Sequence, residues 1–376
     1  MNATTANAVS AERAAATASG RMDAIDLARG IAVALMILSH GVNGLLQFED
    51  FTDWGLVPVH AVTKVASTLF FIVFGIALGV AFVPKTGRDD WGQRRNRLLL
   101  RGLLILFWYK VLTVVEMYGQ YDRDQIVDAL LYRNFPSYVE VLGFYAIALL
   151  WLPWLLPLWA RMPLWLRWSS PLLMAALSWW LLREFDFWGV PQLQALLVEH
   201  PDYYTWGQLA RVPLVLSGLL IGGLLLSRYQ DAGRRLALAA AIAGVGVVLL
   251  IVFQQLAGDQ RADVMQGIAR NAGKHPPELM FMLFSIGGAL LLLALSIAGG
   301  QGLARLLRPL TIIGTNALMA FIFHITVIFV LFRDVLGYLD SVSYQYALTL
   351  TLLMIAATAL WIWLWERLWT ALRRKR

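Results

Sequence analysis

The sequence predicts an all-α, polytopic integral membrane protein with about ten transmembrane helices and both termini in the cytoplasm. Of its 376 residues, 59% are hydrophobic and only 15% are charged, whereas soluble globular proteins average about 45–50% apolar and about 25% charged residues. The mean hydropathy is +0.64. Apolar stretches of about twenty residues, the length that crosses a bilayer core as a helix, recur from end to end.

Each predicted span is an apolar run bounded by polar or charged residues. The runs cover residues 25–46, 58–83, 98–118, 136–159, 166–183, 209–227, 235–256, 277–298, 309–333 and 344–366. An even number of spans places both ends of the chain on the same side of the membrane.

The charge distribution predicts which side that is. Basic residues concentrate in segments on the side of the termini, such as "KTGRDDWGQRRNRLLLRG" and "ALRRKR", while acidic residues concentrate in opposite loops such as "FEDFTD" and "YDRDQIVD". Because cytoplasmic loops carry the excess of Lys and Arg, this bias places the termini inside. The net charge of +7 is thereby explained by topology, and no nucleic-acid partner is predicted.

The polar start of the chain and the missing cysteines limit the organisation further. Residues 1–22 are small and polar and are predicted to form a disordered cytoplasmic tail, followed by a single transmembrane domain over residues 23–376. The chain contains no cysteine, which excludes disulfides, thiol catalysis and thiolate metal sites. No histidine spacing predicts a metal site, and no phosphate-binding loop or serine nucleophile motif occurs.

The first span, "IDLARGIAVALMILSHGVNGL", carries Arg29 and His40 within an apolar segment. Eleven residues make three helical turns to within about 20° and rise about 16.5 Å, so both side chains share one helix face, with Asp26 beside Arg29. Ionisable groups at membrane depth usually face a polar cavity, and we expect one cavity shared by the pair. In the alternative, Arg29 reaches the headgroups and His40 hydrogen-bonds another helix.

The motif "LARGIAVALMILSHG", with Arg29 and His40 separated by ten residues, resembles the first span of acyltransferase family 3, within the transmembrane acyltransferase superfamily. The Phe-rich second span, in which Gly75 and Gly79 would let another helix approach closely, is similar to that of the family. The inner segment after it resembles the family's Arg-x-x-Arg element. Further along, "GKHPPELMFMLFSIGGALL" and "LTIIGTNALMAFIFHITVIFV" resemble the eighth and ninth spans.

This resemblance implies an enzyme of the bacterial inner membrane that uses acyl-CoA, acetyl-CoA in particular, as its donor. The acyl group would pass from the cytoplasm to an acceptor on the far side, a saccharide or lipid-linked saccharide. Arg is suited to CoA phosphates because its planar fork engages phosphate oxygens with two hydrogen bonds. The candidate phosphate-binding residues are Arg94, Arg95, Arg97 and Arg101. Ordinary topology and contact with lipid headgroups are the alternative role of this basic cluster.

His40 and Arg29 are the predicted catalytic residues under this resemblance. Imidazole is a suitable general base at physiological pH, and His40 would take the proton from the acceptor hydroxyl as the hydroxyl attacks the thioester. A transient acyl-imidazole that relays the acyl group is the covalent alternative.

Three further buried polar residues are candidate substrate-binding groups: Glu140, His324 and Asn316. Glu140 would orient an imidazole or bind acceptor hydroxyls, with a protonated carboxyl in a helix interface as the alternative. His324 is also explained by a hydrogen bond between helices. For the whole chain, a transporter or flippase without bond making, or a scaffold without activity, are the competing functions.

Overall fold

The computed structural model describes residues 22–46 and 54–374. Regular structure in these ranges is helical, apart from two isolated β-bridges. The helices are α1 (Asp23–Leu45), α2 (Val57–Thr63), α3 (Ala66–Ala81), α4 (Trp91–Met117), α5 (Arg123–Leu130), α6 (Glu140–Arg161), α7 (Leu164–Glu184), α8 (Pro191–Val198), α9 (Gln208–Arg228), α10 (Ala232–Ala257), α11 (Arg261–Ala269), α12 (Leu279–Leu306), α13 (Arg308–Thr315), α14 (Ala317–Thr326), α15 (Val327–Val335) and α16 (Tyr344–Arg374).

The all-helical, multi-spanning fold is confirmed. Over the described ranges, nine segments are long and apolar enough to cross a membrane. The segment predicted at 166–183 forms α7, a helix of 21 residues, but its two arginines and its serines make it less apolar than the others. The cytoplasmic placement of both termini stays a prediction, and the tail predicted at 1–22 lies outside the described residues except for Met22.

A crossing of small residues joins α3 and α9. A side chain added at Gly75 would overlap the backbone carbonyl of Val215, and one added at Gly218 would overlap that of Ile72. Gly79 and Gly222 repeat the contact one turn further along. The close approach predicted from Gly75 and Gly79 is confirmed, because glycines on both helices let the backbones touch.

The ninth span, predicted as one helix over 309–333, is broken into three pieces. The break lies at Asn316, whose φ of −130° and ψ of 53° are outside the helical region. Its side-chain amide donates to Glu366 Oε1 at 2.5 Å, which gives the polar side chain a partner outside the helix and favours the break. Beyond α14, the chain continues in wider π-type turns over Val327–Val335.

The first helix lies inside the bundle and is fixed at both ends. Near its start, Gly30 touches the backbone of Leu310, and Gly314 touches that of Asp26, so that α1 and α13 cross without intervening side chains. At its far end, the amide of Ser341 donates to the carbonyl of Leu45 at 3.1 Å. This second contact brings the loop that follows α15 over the end of α1.

Candidate active site

Two cavities open at the two ends of the first helix. The larger, here the histidine cavity, has a volume of about 500 Å³. It is lined mostly by polar side chains: Ser39, His40, Asn43, Leu46, Ser137, Tyr138, Glu140, Tyr204, Arg270, Asn271, Lys274 and Asp340. A polar, concave site of this size suits a small ligand.

The smaller cavity, here the arginine cavity, has a volume of about 110 Å³. Arg29 and Arg101 line it together with Thr315 and aromatic side chains that include Phe70 and Phe321. The expectation of one cavity shared by Arg29 and His40 is therefore wrong for the described structure. The two side chains lie on one helix, but each lines its own cavity.

A series of contacting side chains links the walls of the two cavities. Phe321, which lines the arginine cavity, has its ring centroid 5.2 Å from that of His324. His324 in turn is hydrogen-bonded to His40, which lines the histidine cavity. The two cavities share no lining residue, because sequence spacing fixes a helix face but not the aromatic side chains that other helices bring to it.

The hydrogen bonds of His324 define the tautomer of His40. His324 is fully buried, and its Nδ1 lies 2.7 Å from the carbonyl oxygen of Ala320. A carbonyl only accepts, so Nδ1 carries the proton and Nε2 of a neutral imidazole has a lone pair. That Nε2 lies 3.1 Å from His40 Nδ1, which must then be the donor. His40 Nε2 is left without a proton and, among the described residues, without a protein partner.

Tyr138 also packs against His40. Its ring lies edge-on to the imidazole, with centroids 5.4 Å apart. The carboxylate of buried Glu116 holds this tyrosine in place, because Glu116 Oε1 accepts from the amides of Ser137 at 2.6 Å and Tyr138 at 3.1 Å. His40 is thus fixed between a hydrogen-bonded histidine and an aromatic ring.

Arg29 is held by its own neighbours at the other end of the helix. One guanidinium nitrogen donates to Asp26 at 3.2 Å and to the carbonyl of Gly314 at 3.1 Å. The side chain remains about one-fifth exposed and lines the arginine cavity. Helix α14 begins beside this cavity with Ala317 and Leu318, so its positive end adds to the charge of the two arginines.

The predicted phosphate-binding arginines separate into different environments. Arg94 is paired with Asp90, and the guanidinium of Arg95 lies 3.8 Å from the ring centroid of Trp154. Arg97 and Arg101 are both exposed. Of the four, Arg101, one turn further along α4 than Arg97, joins Arg29 in lining the arginine cavity.

Two residues that line the histidine cavity carry buried oxygens without a partner. Asn43 Oδ1 and Asn271 Oδ1 have no hydrogen bond from the described residues. Buried polar atoms normally have partners, so such a group calls for a ligand donor or an ordered water. Glu140, predicted from sequence as a substrate-binding residue, lines the same cavity as His40, and its carboxyl group interacts with Trp206. Asn316 lies at the junction of α13 and α14, away from this cavity.

Strained backbone gathers at the same cavity. Asn271 and Asp340, which line it, have φ values of 68° and 50°. Glu199, which supports the adjoining loop, has a φ of 81°. Non-glycine residues adopt these conformations at a cost and are enriched at functional sites.

Several residues of the cavity were not singled out as site residues from the sequence. Tyr138, Tyr204, Lys274 and Asp340 come from four different loops or helix ends, and nothing in their local pattern indicates that they meet. The one signal available was a lysine next to a histidine in "GKHPPE", a charged pair directly before an apolar span.

The fold and the two cavities define a multi-pass membrane protein with a buried histidine pair at a polar site. The sequence model of the acyltransferase 3 family, described as an acyltransferase domain, matches residues 22–366. The chain therefore belongs to the acyltransferase 3 family and is a membrane-bound acyltransferase. No protein in a curated collection matches the chain. Family membership favours the enzyme over the transporter and the scaffold considered from the sequence.

Proposed function

We propose that this chain is an O-acyltransferase of the plasma membrane, in bacteria the inner membrane. It moves a short, acetyl-like acyl group from cytoplasmic acyl-CoA to a hydroxyl of an extracytoplasmic glycan or similar acceptor. The observation that carries the proposal is the free Nε2 of His40 in the histidine cavity. A neutral imidazole with its lone pair directed away from its hydrogen-bond partner is suited to accept the proton of an attacking hydroxyl.

The acceptor hydroxyl is assigned to the histidine cavity because of the oxygen-bearing side chains that line it. Asn43 and Asn271 each carry an oxygen without a protein donor among the described residues, Glu140 contributes a carboxyl group, and sugar hydroxyls are donors. The charged lining residues are balanced in sign, with Glu140 and Asp340 against Arg270 and Lys274. A balanced, polar wall favours a neutral polyhydroxylated acceptor over a polyanion.

The donor is assigned to the arginine cavity. Arg29 and Arg101 give this cavity two fixed positive charges, which favour the phosphates of CoA. For transfer, the acyl end must pass the ring of Phe321, so rotation of this side chain accompanies each turnover. The thioester carbonyl then meets the acceptor hydroxyl beside His40. The new ester bond forms, the CoA thiolate leaves, and the imidazolium returns the proton to it.

The test uses purified protein in nanodiscs with radiolabelled acetyl-CoA and a panel of neutral methyl glycosides. Release of CoA is read with a thiol reagent, which meets no background because the chain has no cysteine. We expect transfer to at least one glycoside, its loss in His40→Ala, and its retention in His200→Ala, a histidine outside both cavities. Transfer at the wild-type rate in His40→Ala would refute the proposal.

The donor site is tested by two arginines one turn apart on α4. Arg101→Ala should raise the KM for acetyl-CoA, whereas Arg97→Ala, which removes an exposed guanidinium outside the cavity, should not. Equal effects of the two substitutions would contradict the assignment. Rapid mixing of the protein with acetyl-CoA, without acceptor, distinguishes a general base from a covalent acyl-imidazole at His40. Only the acyl-imidazole gives a burst of released CoA.

A further inference from the structure

A buried ionic cluster supports one loop of the histidine cavity. Arg211 is fully buried, and its guanidinium engages Glu199 with two hydrogen bonds of 2.6 and 3.1 Å. The same guanidinium donates to the backbone carbonyl of Lys274 at 2.6 Å. His275 Nδ1 donates to Glu199 Oε2 at 2.8 Å. These bonds fix the chain at the carbonyl of Lys274 and at the next residue, His275.

The ammonium of Lys274 is turned from this cluster to the cavity. Its Nζ donates to the hydroxyl of Tyr204, and both residues line the histidine cavity together with His40. The ammonium also lies 4.9 Å from the ring centroid of Tyr204 and 5.0 Å from that of Trp206. One hydrogen bond leaves two of the three N–H donors of the ammonium for a ligand.

The charge of Lys274 has no carboxylate within ion-pair distance among the described residues. Glu140 lines the same cavity but forms no salt bridge with it. Lys274 is half-buried beside the cavity, and a half-buried cation without a paired anion favours a negative charge that arrives during the reaction. Attack of a hydroxyl on a thioester carbonyl creates such a charge on the carbonyl oxygen.

We infer that Lys274 is the catalytic donor that stabilises the oxyanion of the transferred acyl group. This inference rests on the proposed function. As His40 Nε2 takes the hydroxyl proton, the C–O bond to the acceptor forms and the carbonyl electron pair moves onto oxygen, where the Lys274 ammonium donates to it. The pair then re-forms the carbonyl as the C–S bond breaks, and the imidazolium proton goes to the CoA thiolate. Lys274 keeps its protons throughout.

The charge state of Lys274 gives the inference a pH signature. Burial lowers the pKa of Lys274 to about 8, so the ammonium is lost as the pH rises through this value. Burial raises the pKa of Tyr204 well above its ordinary value, and Tyr204 stays neutral in that range. The titratable and charged groups that face Lys274 across the cavity, through its loop or from the end of the neighbouring helix α2 are His40, Lys64, Tyr138, Glu140, Glu199, Tyr204, Arg211, Arg270, His275 and Asp340.

The experiment measures thiol release from acetyl-CoA with a methyl glycoside acceptor, between pH 6 and 10, for Lys274→Met and Lys274→Arg. We expect Lys274→Met to lower kcat about 100-fold with the KM for acetyl-CoA unchanged within about 3-fold. The wild-type rate should fall as the pH rises through about 8. Lys274→Arg, which keeps its charge at every pH used, should retain activity and show no fall above that pH.

Two results would overturn the inference while leaving the proposed function intact. One is a kcat in Lys274→Met close to that of the wild type. The other is recovery of activity in the double variant Lys274→Met/Glu140→Gln, which would make Lys274 only a counter-charge for Glu140. Absence of His40-dependent release in the wild type would overturn both. Gel filtration and thermal unfolding establish whether each variant is folded. If Lys274→Met does not fold, the test rests on the pH profile of Lys274→Arg, and a fall in its rate above a pH of about 8, like that of the wild type, would overturn the inference.

Discussion

The imidazoles of His40 and His324 are hydrogen-bonded across 284 positions of sequence, with His40 Nδ1 3.1 Å from His324 Nε2. His324 is itself held by the carbonyl of Ala320. In this series of hydrogen bonds, Nδ1 of each histidine is the donor. The nitrogen left without a proton or a protein partner is therefore Nε2 of His40, at the histidine cavity. Under the proposed function His324 is a positioning residue, and the interhelical hydrogen bond predicted for it fixes the imidazole to which catalysis is assigned.

Removing the imidazole of His324 should impair catalysis more than binding. In His324→Ala, His40 loses the acceptor that fixes its tautomer, and we expect kcat to fall about 10- to 100-fold. The amide oxygen of His324→Gln can accept from His40 Nδ1, so this variant should retain more activity. Thiol release from acetyl-CoA measures the kcat of both variants. Equal rates in the two variants would show that the tautomer is not set by this bond.

Removing the carboxylate of Glu116 should destabilise the fold. Glu116→Ala leaves the amides of Ser137 and Tyr138 without their acceptor, and each unsatisfied buried donor costs about 1–3 kcal/mol. Glu116→Gln retains one carbonyl oxygen and should be affected less. Thermal unfolding in nanodiscs gives the comparison. An unchanged midpoint in Glu116→Ala would contradict the role assigned to this side chain.

A methyl group at the crossing of α3 and α9 should loosen the bundle. The added Cβ of Gly218→Ala would overlap the carbonyl of Ile72, and such overpacking costs about 1–3 kcal/mol. Gly223→Ala, on the same helix with open space around its Cβ, is the matched control and should be neutral or stabilising. The midpoints of thermal unfolding of the two variants are compared. Equal midpoints would mean that the helix crossing accommodates the added methyl group without a loss of stability.

Acidification should destabilise the loop cluster through His275. Burial lowers the pKa of His275 from 6.5 to about 4, so between these values the unfolded chain binds more protons than the folded protein. Stability should therefore decline as the pH falls through this window, by at most about 1.4 kcal/mol per pH unit for one group. His275→Asn keeps a donor for Glu199 but does not titrate. Its unfolding midpoint should depend less steeply on pH, and identical slopes would exclude His275 as the source.

Local sequence patterns were enough to predict most of the helices. For the close helix contacts, they predicted the residues of one helix but not their partners on the other. The apolar runs predict the spans because burying a backbone in hydrocarbon requires helix, and Gly75 and Gly79 predict a close crossing because only their lack of Cβ permits it. Their partners, Gly218 and Gly222, could not be assigned in advance. Nothing in either helix specifies which other helix it meets.

The candidate site shows the same limit more sharply. Arg29 and His40 were predicted from their spacing on one helix, and each lines one of the two cavities. The walls of the two cavities and the contacts between them depend on Phe70, Phe321 and His324, which other helices supply. The break at Asn316 was missed because its surroundings read as one apolar run, whereas the polar contact with Glu366 lies 50 positions away.

The separation of the two cavities also bears on the energy of the cell membrane. A continuous watery path through the bundle would let protons run down the potential, worth about 2.3 kcal/mol for each charge and 100 mV. The arginine cavity and the histidine cavity share no lining residue, and the contacts of Phe321 and His324 lie on the route from one to the other. Under the proposed function, an acyl group would pass between two separate cavities, without an open aqueous channel that would short-circuit the membrane.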